Sequence, residues 1–119
     1  MVNEKEAALF MEGLELTCFQ IISAVGMARS TYIEAISEAR NGNFEKAQEM
    51  IKEGETMFTQ GHAAHAQLIQ QEAGGNPVSP TLLLLHAEDQ LMSAEGFKII
   101  AEEMIANYKK IAELEARIK

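Results

Sequence analysis

One histidine of this 119-residue chain lies among polar residues that suit nucleophilic chemistry. His86 is followed by Asp89 three residues on and by Gln90 four residues on. On a helix these spacings bring side chains to one face, with Cβ atoms about 5–6 Å apart. A neutral imidazole has a free lone pair that can attack an electrophile, and a neighbouring carboxylate or amide could hold the ring in the required tautomer. On spacing alone, a core histidine hydrogen-bonded to Asp89 is the commoner arrangement, so both interpretations stay open.

Two further histidines, His62 and His65, are three residues apart in a helical stretch. That spacing could supply two metal ligands, but no cysteine or carboxylate completes an obvious set. Alternatively, one of them lines the pocket around His86 from a neighbouring antiparallel helix. The single cysteine, Cys18, falls on an apolar helical stripe, where core packing is the ordinary role.

Composition narrows the classes of function. Acidic residues outnumber basic ones by 18 to 10, for a formal charge of −8, which argues against nucleic acid and against an anionic membrane surface as partners. Phosphate-binding glycine-rich loops, the H-E-x-x-H zinc motif and the G-x-S-x-G nucleophile turn are all missing from the sequence. The first residues are charged and the longest apolar run near the middle is short, so we expect no signal peptide, no membrane insertion and a cytoplasmic protein.

Two breaks divide the chain into three helical segments. At Asn41-Gly42-Asn43, Gly42 suits a left-handed residue past a helix end and Asn43 suits an N-cap. At 74–80, two glycines can stop a helix, Ser79 can cap the next one and Pro80 can occupy its first position. We therefore predict a single domain over residues 1–119, with helices at about 6–40, 44–73 and 80–117.

Apolar residues recur every three or four positions in each segment, which predicts an all-α, antiparallel up-down-up three-helix bundle. The third segment carries two series with a seven-residue repeat: Phe97, Met104, Ile111 and Ile118, and Ile100, Asn107 and Leu114. Together they form an a/d heptad pattern, and a polar residue within such a seam can fix register and oligomer number. The surplus apolar surface predicts self-association, with Asn107 as a residue that specifies the oligomer.

The stretch Leu84–Met92 resembles the phosphorylation-site stretch of the lactose/cellobiose-type enzyme IIA family of the bacterial sugar phosphotransferase system, His-x-Gln-Asp-His-Leu-Met. Further matches are Gly26–Ser30, Asn41–Phe44 with Ala47 following, and His62. The resemblance covers nearly the whole chain from Leu14 onward. It implies a three-helix bundle that assembles into a homotrimer, with the third helices about the threefold axis.

The resemblance also implies an activity. His86 would accept a phosphoryl group from the phosphohistidine of HPr and pass it to a cysteine of the cognate enzyme IIB, while a membrane enzyme IIC imports a β-disaccharide of the lactose, cellobiose or chitobiose type. Asp89 would bind Mg²⁺, one ion per trimer near the threefold axis, and Gln90 and His62 would occupy supporting positions. Three carboxylates that converge on an axis repel one another unless a cation lies between them.

Two residues depart from the family's stretch: Glu88 stands where Gln is usual and Gln90 where a second His is frequent. Glu88 brings negative charge near an anionic phosphoryl site unless its side chain points away. A rival interpretation is a non-catalytic helical oligomerisation or adaptor module, in which His86 is structural. A third is a histidine metal-binding bundle built on His62 and His65.

Overall fold

A computed structural model describes the backbone of residues 3–119 and the side chains of 3–5 and 13–119. Within this part of the chain there are three helices, α1 (Glu4–Arg40), α2 (Phe44–Ala73) and α3 (Leu82–Ile118), and no strands. The prediction of an all-α three-helix bundle is confirmed. None of the described helices is both long and apolar enough to cross a membrane.

Contacts between side chains give the direction of each helix. Arg29 lies over the Phe97 ring, and Arg40 donates to the Tyr108 hydroxyl at 3.2 Å, so α1 and α3 run parallel. Lys98 pairs with Glu55, whereas His65, ten residues later in α2, contacts an earlier residue of α3. α2 therefore runs antiparallel to both neighbours, in the up-down-up order that the short connections predict.

In the connection between α1 and α2, the prediction for Gly42 is confirmed and the prediction that the Asn43 side chain caps α2 is wrong. Gly42 has φ +84°, the left-handed backbone that ends α1. Asn43 is the residue before α2, yet its side chain makes no capping bond. Its amide nitrogen instead donates to Glu38 at 2.8 Å and ties the turn back to α1.

The predicted start of α3 is wrong by two residues. Thr81, with extended backbone, is the N-cap, and its hydroxyl accepts the Leu84 backbone N–H at 3.1 Å. Ser79 and Pro80 remain in the connection instead of capping and opening the helix. The physical reason is that Leu84 is buried in the bundle, and the helical turn that carries it there begins after Thr81.

The core lies along the inner stripe of α1. One cluster packs the first residues of α3 against four residues of α1: Leu14, Cys18, Ile21 and Val25. A second cluster, farther along the bundle, contains Tyr32. Gly54 of α2 lies directly against the Tyr32 ring, where a Cβ would approach Cδ1 to 2.8 Å. The absence of a side chain at this glycine therefore lets α2 pack closely on α1.

The heptad pattern of α3 divides between two surfaces, which corrects the single seam predicted. Phe97 packs against the intramolecular core, and Met104 is half-buried. Ile100, Asn107 and Leu114 are exposed in one protomer. The first series rotates by about 20° per heptad around the helix, so its early members face the bundle while its later members, Ile111 and Ile118, are exposed like the second series.

Candidate functional site

His86 lies on the second turn of α3 and is exposed to solvent. Leu84 and Ala87, on either side of it in sequence, are both buried and fix this turn against the bundle. The His86 ring forms no hydrogen bond or ion pair with any other described residue. The interpretation of His86 as a core histidine bonded to Asp89 is therefore wrong, and neither ring nitrogen is engaged by another described residue.

Asp89 and Gln90 flank His86 on the helix surface. At about 100° per residue, Asp89 lies about 60° to one side and Gln90 about 40° to the other. Asp89 is exposed, whereas Gln90 is half-buried. The spacing thus brings the three residues together as predicted, but no hydrogen bond among them fixes the tautomer of the ring.

The two histidines of α2 occupy different environments. His62 is exposed, and its ring centroid lies 6.0 Å from that of Phe58. His65 is mostly buried, and its Nε2 lies 3.0 Å from Oε1 of Glu88 on α3. Among the described residues it is therefore His65 that forms a hydrogen bond to the turn of α3 that carries His86, whereas His62, the predicted supporting residue, forms no hydrogen bond or ion pair there.

The contact between His65 and Glu88 was missed by sequence reasoning. Glu88 had a visible signal, since its charge departs from the family's stretch, but its partner depends on the register between α2 and α3. That register pairs Glu55 of α2 with Lys98 of α3. Because the helices are antiparallel, a step of ten residues forward in α2 and ten residues backward in α3 leads to the pair His65 and Glu88.

The candidate metal ligands that the sequence offers are Asp89 and the histidines of α2. Among the described side chains, no three His, Cys, Asp or Glu residues cluster closely enough to hold a metal ion. His62 and His65 are thus not part of a three-ligand cluster within the described residues. Asp89 is exposed and has no ion-pair partner among the described residues, and a carboxylate of this kind can contribute one oxygen ligand to a divalent cation.

The outer face of α3 carries many apolar side chains that are exposed to solvent. Leu82, Met92 and Ile118 are 84%, 70% and 85% exposed. Other members of this face are exposed to a lesser extent: Leu85, Ile100, Ile111 and Leu114. Exposed apolar side chains that recur on one side of a whole helix are typical of an interaction site.

Cys18 has no features of a reactive thiol. Its side chain is fully buried, and burial, followed by the negative charges of Glu88 and Glu15, raises the pKa of the thiol. A thiol is nucleophilic only as the thiolate, which these effects disfavour. Its assignment to the core is confirmed.

Comparison with known proteins agrees with this arrangement. A family model described as the lactose/cellobiose-specific IIA subunit of the PTS system matches residues 16–109. The chain is 40% identical over 102 residues to the lichenan-specific phosphotransferase enzyme IIA component of Bacillus subtilis (strain 168), covering 86% of this chain and 93% of the relative. It is 31% identical over 99 residues to the lactose-specific EIIA component of the Staphylococcus aureus (strain N315) PTS system, covering 83% and 96% of the two chains.

A solved structure gives the same result. The crystal structure of the PTS cellobiose-specific enzyme IIA from Bacillus anthracis matches with a TM-score of 0.81 and 33% identity, covering 95% of each chain. Family, relatives and fold thus agree over nearly the whole length of the bundle, and the chain belongs to the lactose/cellobiose-specific IIA family of the phosphotransferase system.

Proposed function

We propose that His86 is the residue on which this phosphotransferase-system component carries its phosphoryl group. The observation that supports this assignment most directly is the exposed imidazole on a turn held by buried Leu84 and Ala87. Phosphoryl transfer depends mainly on in-line positioning and on stabilisation of charge, so a rigidly placed, accessible nucleophile is the main requirement. An adaptor module would not require this arrangement.

The transfer has two balanced steps. In the first, a lone pair on a His86 ring nitrogen bonds to phosphorus while the P–N bond to the phosphohistidine of HPr breaks, and its electron pair returns to the donor ring. In the second, a cysteine thiolate of the cognate enzyme IIB bonds to phosphorus while the P–N bond to His86 breaks. No oxidation or reduction occurs, and the chain returns to its starting state.

The active form in this proposal is a homotrimer, with the outer faces of α3 packed about a threefold axis. The exposed apolar residues of that face support it, since packing them together removes them from water. Asp89 lies on the same face and would hold Mg²⁺ with its two symmetry copies. The ion would supply positive charge between three carboxylates that otherwise repel.

The pathway proposed is uptake of a β-linked disaccharide, in which the cognate enzyme IIC imports the sugar and enzyme IIB phosphorylates it. The similar proteins are named for lichenan, lactose and cellobiose. The proposed location is the cytoplasm, where a relay between HPr and enzyme IIB would operate. The supporting role of Gln90 also remains part of the proposal, as a half-buried amide beside the reacting ring.

The test is phosphorylation in a purified system. The protein is incubated with phosphoenolpyruvate, enzyme I and HPr, and its intact mass is measured. We expect the wild type to gain one acid-labile phosphoryl group, His86→Ala to gain none, and His62→Ala to retain the gain. A wild type without mass gain, or a phosphorylated His86→Ala protein, would reject the assignment.

A further inference from the structure

The second turn of α3 carries an acidic residue whose charge opposes the proposed chemistry. Glu88 is two residues after His86, and a phosphoryl group on His86 would bring further negative charge to the same turn. Like charges this close repel, and the repulsion depends on where the Glu88 carboxylate is held. The position of this carboxylate therefore bears on how readily His86 accepts the group.

The structure holds the carboxylate on the side of α3 away from His86. Two residues along a helix correspond to a rotation of about 200°, so the side chains of His86 and Glu88 leave the helix on nearly opposite sides. Glu88 is turned toward α2, where its Oε1 lies 3.0 Å from Nε2 of His65. An ionised carboxylate only accepts hydrogen bonds, so Nε2 of His65 carries the proton and donates it.

The two partners are not equally free to move. The His65 side chain is 16% exposed and the Glu88 side chain 45% exposed, so the histidine is the fixed partner and the glutamate the one that needs holding. Glu88 has three rotatable side-chain bonds and no other hydrogen bond or ion pair with a described residue. Without His65, no hydrogen bond to a described residue would hold this carboxylate on the α2 side of α3.

From this geometry we infer that His65 is a positioning residue for phosphoryl transfer: it holds the Glu88 carboxylate on the α2 side of α3, away from His86. This inference rests on the proposed role of His86. It gives the Glu88 departure from the family's stretch a physical explanation, since the added charge is accompanied by a hydrogen-bond donor on the facing helix.

The test compares the initial rate at which phospho-HPr phosphorylates four proteins: wild type, His65→Ala, Glu88→Gln and the double variant. Because the pair is partly exposed, we expect His65→Ala to slow the rate by about two- to fivefold. Glu88→Gln removes the charge and should not slow it. The double variant should recover the rate of Glu88→Gln, because no carboxylate remains to be held.

A matched control is Glu55→Gln, which disrupts the other polar contact between α2 and α3, with Lys98. It should leave the rate unchanged even if thermal unfolding shows a similar loss of stability. Raising the salt concentration should shrink the defect of His65→Ala, because a repulsion at the surface is screened.

The outcomes separate the two claims. A wild type that gains no phosphoryl group overturns the proposed function. A wild type that is phosphorylated, together with a His65→Ala protein of equal rate, overturns the positioning role. A double variant as slow as His65→Ala also overturns it, since the defect would then be structural.

Discussion

Asp89 and Asn107 project from the same outer side of α3, eighteen residues apart, and both are exposed in one protomer. Eighteen residues complete five helical turns and span about 27 Å. Ile100 lies on the same side between them. One face of a single helix thus carries a carboxylate near its start, a polar amide farther along and apolar side chains between and beyond them.

The amide on this face leads to a prediction about assembly. Replacing Asn107 with Leu should make the oligomer more resistant to dilution but less uniform in subunit number, because a polar residue in an apolar seam specifies the oligomer at the expense of stability. Sedimentation velocity over a dilution series measures both properties. The control is Ala106→Leu, which adds an apolar side chain about 100° away around the helix. If the two variants behave alike, Asn107 does not lie in the seam.

The carboxylate on this face leads to a prediction about metal removal. A chelator should lower the thermal stability of the wild-type oligomer, and added Mg²⁺ should restore it, because three Asp89 side chains would otherwise repel one another. Asp89→Asn should be insensitive to both treatments, since no charges converge. Glu95→Gln, which removes an exposed carboxylate elsewhere on α3, should respond as the wild type does. A wild type indifferent to chelator would contradict the shared metal site.

Close packing between α1 and α2 gives a prediction about stability. Gly54→Ala should destabilise the fold by about 1–3 kcal/mol, because the new methyl group meets the Tyr32 ring, which is itself fully buried. Gly13→Ala, where the added Cβ meets no described atom beyond the adjacent backbone of its own helix, should stabilise α1 by up to about 1 kcal/mol. Denaturant titration measures both, and a Gly54→Ala protein as stable as the wild type would show that the Tyr32 ring moves freely.

The ends of a helix could be predicted where the neighbouring residues offer only one suitable cap or stop. α2 begins at Phe44 and ends at Ala73, as the Asn-Gly-Asn and Gly-Gly breaks predict. The start of α3 could not be settled locally, because Ser79 and Thr81 are both suitable caps two residues apart. The choice between them depends on which turn buries Leu84, and this is a property of the packed bundle.

Within the candidate site, the residues of one helix could be predicted and the contact between helices could not. The spacing of His86, Asp89 and Gln90 places them together on any helix. The pairing of His65 with Glu88 requires the register of α2 against α3, and the connection between those helices does not encode it in a recognisable motif. The same limit applies to Phe97, because its seven-residue spacing does not distinguish packing within the bundle, where the structure places it, from packing against another chain.

Stability should fall in alkaline solution. Burial is the main factor that raises the pKa of Cys18 above its ordinary value of 9.0, so the folded state favours the neutral thiol. The unfolded chain releases this proton first as the pH rises, and the stabilisation, complete below about pH 9, is lost as the pH passes through the folded-state pKa. Denaturant titrations between pH 7 and about pH 11 should show the decline, and Cys18→Ala should reduce its slope. An unchanged slope in that variant would assign the decline to other groups.

The corrected start of α3 gives two hydroxyls with opposite expected effects. Thr81→Ala should lower the free energy of unfolding by about 1 kcal/mol, because the Leu84 N–H loses its side-chain acceptor. Ser79→Ala should be nearly neutral, since Ser79 is exposed and no hydrogen bond links its hydroxyl to another described residue. Both variants remove a hydroxyl from the connection between α2 and α3. The difference between their free energies of unfolding, measured by denaturant titration, therefore gives the contribution of the capping hydrogen bond. A larger loss for Ser79→Ala would place the first turn of α3 where local sequence alone predicts it, and would move His86 one half-turn deeper into the helix.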